Sequence, residues 1–202
     1  MSEQSPVSFP TASKNLLVLA DSFTYASFWR RAAALMLDMV FVMVGIILLQ
    51  TFSKGSLTTA IAAVPLQGFL FWFYVFYQHG KDGQTWAKRL LKIKVVTVDG
   101  NPVDFPTSGL RSIICFLESV PWVLATMLAL SKIPSSMYLP LEPEQMRALE
   151  LSLRPEWYGT TDWIVLALFL TEISCYFLTS RRQSLADLIA GTVAINVKAP
   201  DR

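Results

Sequence analysis

Residues 29–51 read WRRAAALMLDMVFVMVGIILLQT, two arginines followed by an apolar run that contains one acid, Asp38. At about 1.5 Å per residue, twenty apolar residues are long enough to cross the roughly 30 Å hydrocarbon core of a bilayer. This stretch therefore predicts a membrane-spanning helix over residues 32–51. Asp38 follows Arg31 by seven residues, which places it on nearly the same helical face and about 10 Å deeper.

Asp38 is costly in such a helix, because a carboxylate inside the hydrocarbon is unfavourable by about 2.5 to 3.5 kcal/mol even on lenient insertion scales. It therefore needs a partner or a function. Two interpretations stay open: a structural pairing with an arginine or a helical hydroxyl, or a site that binds an ion or a proton.

The composition of the whole chain is that of a membrane protein. Its 202 residues are 53% hydrophobic and only 16% charged, and the mean hydropathy is +0.44. Soluble domains are less apolar than this. A net charge of +2, with no basic run interleaved with aromatic residues, argues against nucleic-acid binding. We expect residues 1–202 to form a single membrane domain whose main partner is the lipid bilayer.

Three further apolar stretches have the length of membrane spans. They are predicted over residues 57–77, 110–130 and 161–179. The polar loop 78–108 joins the second span to the third, and the proline-rich loop 131–159 joins the third to the fourth. The expected fold class is an all-α polytopic membrane protein with four transmembrane helices.

The distribution of positive charge predicts the orientation of these spans. Of the 17 lysines and arginines, 13 lie in residues 1–31, 78–111 and 179–202. Since cytoplasmic segments of membrane proteins carry an excess of Lys and Arg, both termini and loop 78–108 are expected in the cytoplasm, and loop 131–159 outside. This topology fits a multi-pass membrane protein.

Two cytosolic segments have local structure of their own. QTWAKRLL, residues 84–91, predicts a short basic amphipathic helix on the membrane surface. Its expected lipid-facing residues are Trp86, Leu90 and Leu91, and its expected solvent-facing residues are Lys88, Arg89 and Lys92. IKVVTV at 93–98 and TVAINV at 192–197 have the β-branched composition of strands, and we expect them to pair in a small cytosolic β element.

Three intramembrane acids, Asp38, Glu118 and Glu172, lie at one predicted depth. Glu118 follows Arg111 by seven residues, as Asp38 follows Arg31, and Glu172 lies seven residues before Thr179. The first two spacings are compatible with an internal duplication, although one shared spacing does not establish it. The same depth predicts a shared site about 10 Å below the cytoplasmic interface.

Carboxylates that converge in this way repel one another unless a proton or a cation lies among them. Oxygen ligands favour a hard cation, so Na⁺, K⁺ or Li⁺ and protons are the expected ligands of Asp38, Glu118 and Glu172. The alternative, which stays open, is that the acids face different neighbours and are neutralised by arginines. The arginines available for this are Arg30, Arg31, Arg111 and Arg181.

The sequence contains no motif that is typical of catalysis or of cofactor binding. The chain has no glycine-rich phosphate loop, no Ser/His/Asp set and no Cys-x-x-Cys spacing. Its lone histidine, His79, cannot form a zinc site by itself and is interpreted as an interfacial residue. We expect neither an enzyme nor a bound cofactor or metal centre.

Three segments resemble the RDD family of bacterial membrane proteins, which is named for one arginine and two aspartates. They are FWRRAAALMLD at 28–38, GQTWAKRLLKIKVVTVDGNPV at 83–103 and RRQSLADLIAGTVAI at 181–195. Carried over by position, the family's arginine corresponds to Arg31 and its two aspartates to Asp38 and Asp187. The sequence departs from the family pattern at Ala186, where a histidine commonly precedes the second aspartate, and at Trp86 and Ala87, where Leu-Gly is usual.

The resemblance implies one of two functions. Some RDD members are similar to cation/proton antiporters, and others to partners of larger membrane assemblies. Under the first function, Asp38 with Glu118 and Glu172 would form the exchangeable site, while Arg31 with Asp187 would be a structural clamp. Under the second, the chain is a non-catalytic accessory subunit. Four spans are few for alternating access, so either function predicts a homo-oligomer or a larger membrane complex.

Overall fold

The structure, a computed structural model, describes residues 24–53, 55–138 and 142–197. The elements in chain order are α1 (Phe28–Ser53), α2 (Leu57–Asp82), α3 (Trp86–Leu90), β1 (Ile93–Thr97), α4 (Phe105–Ser131), α5 (Ser135–Tyr138), α6 (Pro143–Ser152), α7 (Tyr158–Leu178), α8 (Leu185–Ala190) and β2 (Thr192–Asn196). Helices α1, α2, α4 and α7 are long and apolar enough to cross a membrane. The prediction of a mainly helical chain with four candidate spans is confirmed.

Capping residues explain where α2 begins and ends and where α4 begins. Ser56 and Thr59 form a capping box that begins α2, and Gly83, in the left-handed region with φ 68°, ends it. The side chain of Asp104 accepts a hydrogen bond from the backbone N–H of Thr107 and so begins α4. Both helices therefore extend into the predicted polar loop, which shortens to residues 83–104.

The tightest helix pair is α2 against α4. Gly68 allows the close approach, since a Cβ at this position would lie only 2.3 Å from Cγ2 of Val123. Phe69 of α2 stacks on Phe116 of α4, with ring centroids 5.2 Å apart. Part of the aromatic run over residues 69–77 is therefore packed between helices. Helix α1 packs against α2, and α7 against α4.

The two predicted strands pair as expected. β1 and β2 are antiparallel, with Val95 opposite Ala194 at the centre of the ladder. The strands and the short helices α3 and α8 lie at the same end of the bundle, where α2 and α7 end and where α1 and α4 begin. We refer to this end, defined by α3, β1, α8 and β2, as the sheet end.

The predicted amphipathic helix is present as α3, but one of its faces was assigned wrongly. Trp86 and Leu90 are exposed on its outer side. Leu91, which was predicted to face the lipid with them, is partly buried and packs against the core. Lys88, however, points into the protein, where its Nζ lies 2.7 Å from Nε2 of His79. The reason is that Thr85 caps the helix and Ala87 packs into the core, which turns the following residue inward.

Candidate functional site

Asp187 is the central charge of the sheet end. Its side chain is fully buried, and its Oδ2 lies 2.6 Å from Nη1 of Arg31, which projects from the first turn of α1. Arg111, from α4, donates to the other carboxylate oxygen. The hydroxyl of Thr192 also donates to that oxygen over 3.1 Å. Asp187 thus connects α1, α4, α8 and β2, and the sequence-predicted partners Arg31 and Asp187 form an ion pair.

The two arginines determine the charge state of Asp187. Burial alone would raise the pKa of its carboxyl group, but the nearby charges and hydrogen bonds of Arg111 and Arg31 outweigh burial and hold that pKa below its usual range. Asp187 is therefore ionised at neutral pH. The sequence identified Arg31 as its partner but assigned Arg111 only to the intramembrane acids.

Asp38 is also buried, at 3% exposure, and it has three hydrogen-bond donors. The hydroxyl of Tyr74 donates to Oδ1 over 2.7 Å, the hydroxyl of Thr85 donates to Oδ2 over 2.6 Å, and the backbone N–H of Ala87 donates to Oδ1 over 3.3 Å. Hydroxyl partners were one of the two possibilities left open for Asp38, and no arginine is among its hydrogen-bond donors. Its carboxylate instead lies at the first turn of α3, where backbone N–H groups lack helical acceptors.

A third part of the site is the pair formed by Lys88 and His79. His79 is buried near the end of α2, and Lys88 approaches it from α3. The charges of Arg111, Asp38 and Asp187 all act on the Lys88 ammonium group. Burial first, and then the like charge of Arg111, lower the pKa of Lys88 to about 7. This ammonium group can therefore lose its proton near neutral pH.

The structure does not bring the three predicted acids together. Glu172 accepts a hydrogen bond from the backbone N–H of Ala186 over 3.1 Å, and its charge interacts with that of Glu118. Asp38 is held elsewhere, by α2 and α3. Within residues 24–53, 55–138 and 142–197, no three His, Cys, Asp or Glu side chains are grouped so as to hold a metal ion. A similar position along each helix does not specify which sides of the helices face each other.

Several members of the site were not identified from the sequence. They are Tyr74, His79, Thr85 and Lys88. Of these residues, Thr85 is the one that the sequence could best have identified, because a threonine directly before a short helical run is a typical N-cap. Tyr74 lay within an aromatic run, where nothing distinguished its hydroxyl from its neighbours. His79 and Lys88 come together only because the chain turns after α2 and brings α3 next to the end of that helix.

One of the comparisons with known proteins gave a match. The comparison with curated proteins and the comparison with solved structures gave no match. A family model described as the RDD family matches residues 25–191, which cover all four long helices and both Arg31 and Asp187. The chain therefore belongs to the RDD family.

Proposed function

We propose that this protein exchanges a monovalent cation, Na⁺, K⁺ or Li⁺, for protons across a bacterial inner membrane, with the sheet end in the cytoplasm. The observation that supports this function is the surroundings of Asp38. Its buried carboxylate lies within 2.7 Å of two hydroxyl oxygens, from Tyr74 and Thr85. Three oxygen-bearing side chains, from α1, from α2 and from the residue that caps α3, therefore meet at one point.

Such a group of oxygens has the chemistry that a hard monovalent cation needs. A carboxylate supplies the negative charge, and each hydroxyl can turn its hydrogen away and offer a lone pair instead. In the absence of a cation the same hydroxyls donate to Asp38, so the carboxylate is also stabilised when no cation is bound. Intramembrane acids in transporters commonly mark such ion and proton pathways.

The exchange activity is tested with purified protein in lipid vesicles that have an imposed pH gradient. We expect addition of Na⁺, K⁺ or Li⁺ to dissipate the gradient faster than in vesicles without protein, and choline, which is too large for the oxygens around Asp38, to have no effect. A gradient that decays at the same rate with each of these cations, with choline and without protein would contradict the proposal.

Helix α7 favours an assembly of more than one chain, which the exchange function also calls for. Only Thr161 and Tyr176 of its 21 residues are buried. The rest of this helix presents large apolar side chains, Trp163, Ile164, Phe169 and Leu170 among them. We propose that a second copy of the chain packs on this face, since four helices are few for alternating access and a dimer would supply eight.

Cysteine cross-linking in native membranes tests this assembly. After Cys115 and Cys175 are replaced by alanine, we expect Phe169→Cys to form disulfide-linked dimers on mild oxidation, because its side chain lies on the exposed face of α7. Leu66→Cys, on the exposed side of α2, is the matched control and should remain monomeric. A cross-linked band that contains a different protein would indicate a heteromeric complex in place of the homodimer. Monomer alone would contradict both kinds of assembly.

A further inference from the structure

An apolar cavity of about 280 Å³ lies between α1 and α2. Its lining consists of Phe41, Val42, Val44, Gly45, Leu70 and Tyr74. Phe41 and Val44 are also exposed on the outside of the bundle, so the cavity opens toward the surrounding membrane. Gly45 leaves this space free, since a Cβ at this position would lie only 3.1 Å from Cδ2 of Leu70.

The lining of this cavity favours hydrocarbon over a polar ligand. Of the six residues, only Tyr74 has a polar side-chain group, and its hydroxyl is already engaged. That hydroxyl donates to Asp38 over 2.7 Å and accepts from the backbone N–H of Trp86 over 3.1 Å. Gly45 lies seven residues beyond Asp38, about 10 Å further from the sheet end and within the hydrocarbon core of the bilayer. The chemistry that fits the cavity is therefore that of a lipid acyl chain.

The outer face of α3 extends this apolar surface toward the sheet end. The ring of Phe41 packs against that of Trp86, with centroids 4.4 Å apart. Leu90 follows Trp86 by four residues, so both side chains lie on one face of the helix. Trp86 is 53% exposed and Leu90 is 74% exposed. We refer to the cavity together with Trp86 and Leu90 as the α3 strip.

Positive charge lies at the α3 end of this strip. Arg89 and Lys92, which flank Leu90 along the chain, are both exposed. Residues 81–92 contain a third exposed cation, Lys81, and one acid, Asp82, which pairs with Arg89. The exposed charges of this segment therefore sum to a net positive charge.

Helix α8 lacks this combination. It also exposes two large apolar side chains, Leu188 and Ile189. Residues 183–197, however, contain no lysine or arginine. Of the two short helices at the sheet end, α3 is thus the one that joins apolar surface to positive charge.

We propose that the α3 strip is a binding site for one anionic phospholipid of the bilayer. One acyl chain occupies the cavity, and the phosphate group contacts Arg89 and Lys92. Burial of CH₂ groups favours the binding of any phospholipid, whereas the cations favour an anionic headgroup over a zwitterionic one. Trp86 lies between the two, as is typical of tryptophan at the boundary between hydrocarbon and headgroups. This inference goes beyond the exchange function and does not depend on it.

Native mass spectrometry of the purified full-length protein tests the headgroup preference. The protein in detergent is titrated with phosphatidylglycerol or with phosphatidylcholine that has the same acyl chains. We expect one phosphatidylglycerol molecule to bind roughly tenfold more tightly than phosphatidylcholine, because each nearby lysine or arginine favours an anionic lipid. Equal binding of the two lipids would overturn the proposal.

Val44→Phe tests the position of the acyl chain. Val44 lines the cavity and is 57% exposed, so a larger ring can enter the cavity without displacing a buried side chain. We expect the affinity for phosphatidylglycerol to fall at least about tenfold, because the ring excludes several CH₂ groups. Met43→Phe, at an exposed residue of α1 outside the lining, is the matched control and should bind like the parent. Unchanged affinity in Val44→Phe would show that the cavity holds no acyl chain.

Replacement of both Arg89 and Lys92 by glutamine tests the phosphate contact and leaves the cavity intact. We expect this double variant to bind phosphatidylglycerol only as weakly as phosphatidylcholine. Arg182→Gln, at another exposed arginine of the sheet end, should keep the preference of the parent. A double variant that still prefers phosphatidylglycerol would contradict the assigned headgroup contact. Selective lipid binding by a protein without cation-dependent flux would contradict the exchange function alone and leave the lipid site standing.

Discussion

Asp187→Asn is expected to destabilise the folded protein by about 3 to 5 kcal/mol, the typical effect of removing one partner from a buried ion pair. The substitution keeps the shape of the side chain but leaves Arg31 and Arg111 without a negative charge between them. It also affects four elements at once, because Asp187 links α1, α4, α8 and β2. We therefore expect it to be the most damaging single isosteric change in the part of the chain that the structure describes.

Thermal unfolding of the two proteins in the same detergent measures this effect. Asp99→Asn, at an exposed acid in the turn after β1, is the matched control and should unfold like the parent. Since the arginines lower the pKa of Asp187, its contribution is complete above about pH 4, the usual value for an aspartate. It is lost only as the pH falls through the lowered pKa of the folded state. A variant as stable as the parent at pH 7 would contradict the central position given to Asp187.

The elements of the fold were largely predictable because they depend on local sequence. Twenty-residue apolar runs specify the four long helices, and β-branched runs specify β1 and β2. The pairing of these strands followed from placing both on the same side of the membrane. The ion pair of Arg31 with Asp187 was predicted from the resemblance to the RDD family, which fixes two positions 156 residues apart.

The side-chain environment of the site could not be predicted in the same way. Seven-residue spacing gave the depth of Asp38, Glu118 and Glu172 along their helices, but not the rotation of each helix about its axis. Lys88 was assigned to solvent because lysine is seldom buried. Its inward orientation follows from the Thr85 cap and from the hydrogen bonds of Thr85 and Ala87 to Asp38, and the last two are tertiary contacts.

Asp38→Asn is expected to reduce cation-dependent flux at least about tenfold while leaving the protein folded. The amide can still hydrogen-bond with Tyr74, Thr85 and Ala87, because both hydroxyls can rotate to donate or accept. It cannot supply the negative charge that offsets a bound cation. We therefore expect a melting temperature within a few degrees of that of the parent, in contrast to the effect of Asp187→Asn.

The most direct test of the exchange function is cation-dependent dissipation of a pH gradient by vesicles that contain equal amounts of the parent, Asp38→Asn or Asp162→Asn. Asp162 is an exposed acid near the start of α7 and lies far from Asp38 along the chain. Its variant controls for a general loss of negative charge. We expect cation-dependent flux with the parent and with Asp162→Asn. With Asp38→Asn we expect no flux above the rate of protein-free vesicles. Equal flux from all three proteins would contradict the assignment of Asp38 as the cation ligand.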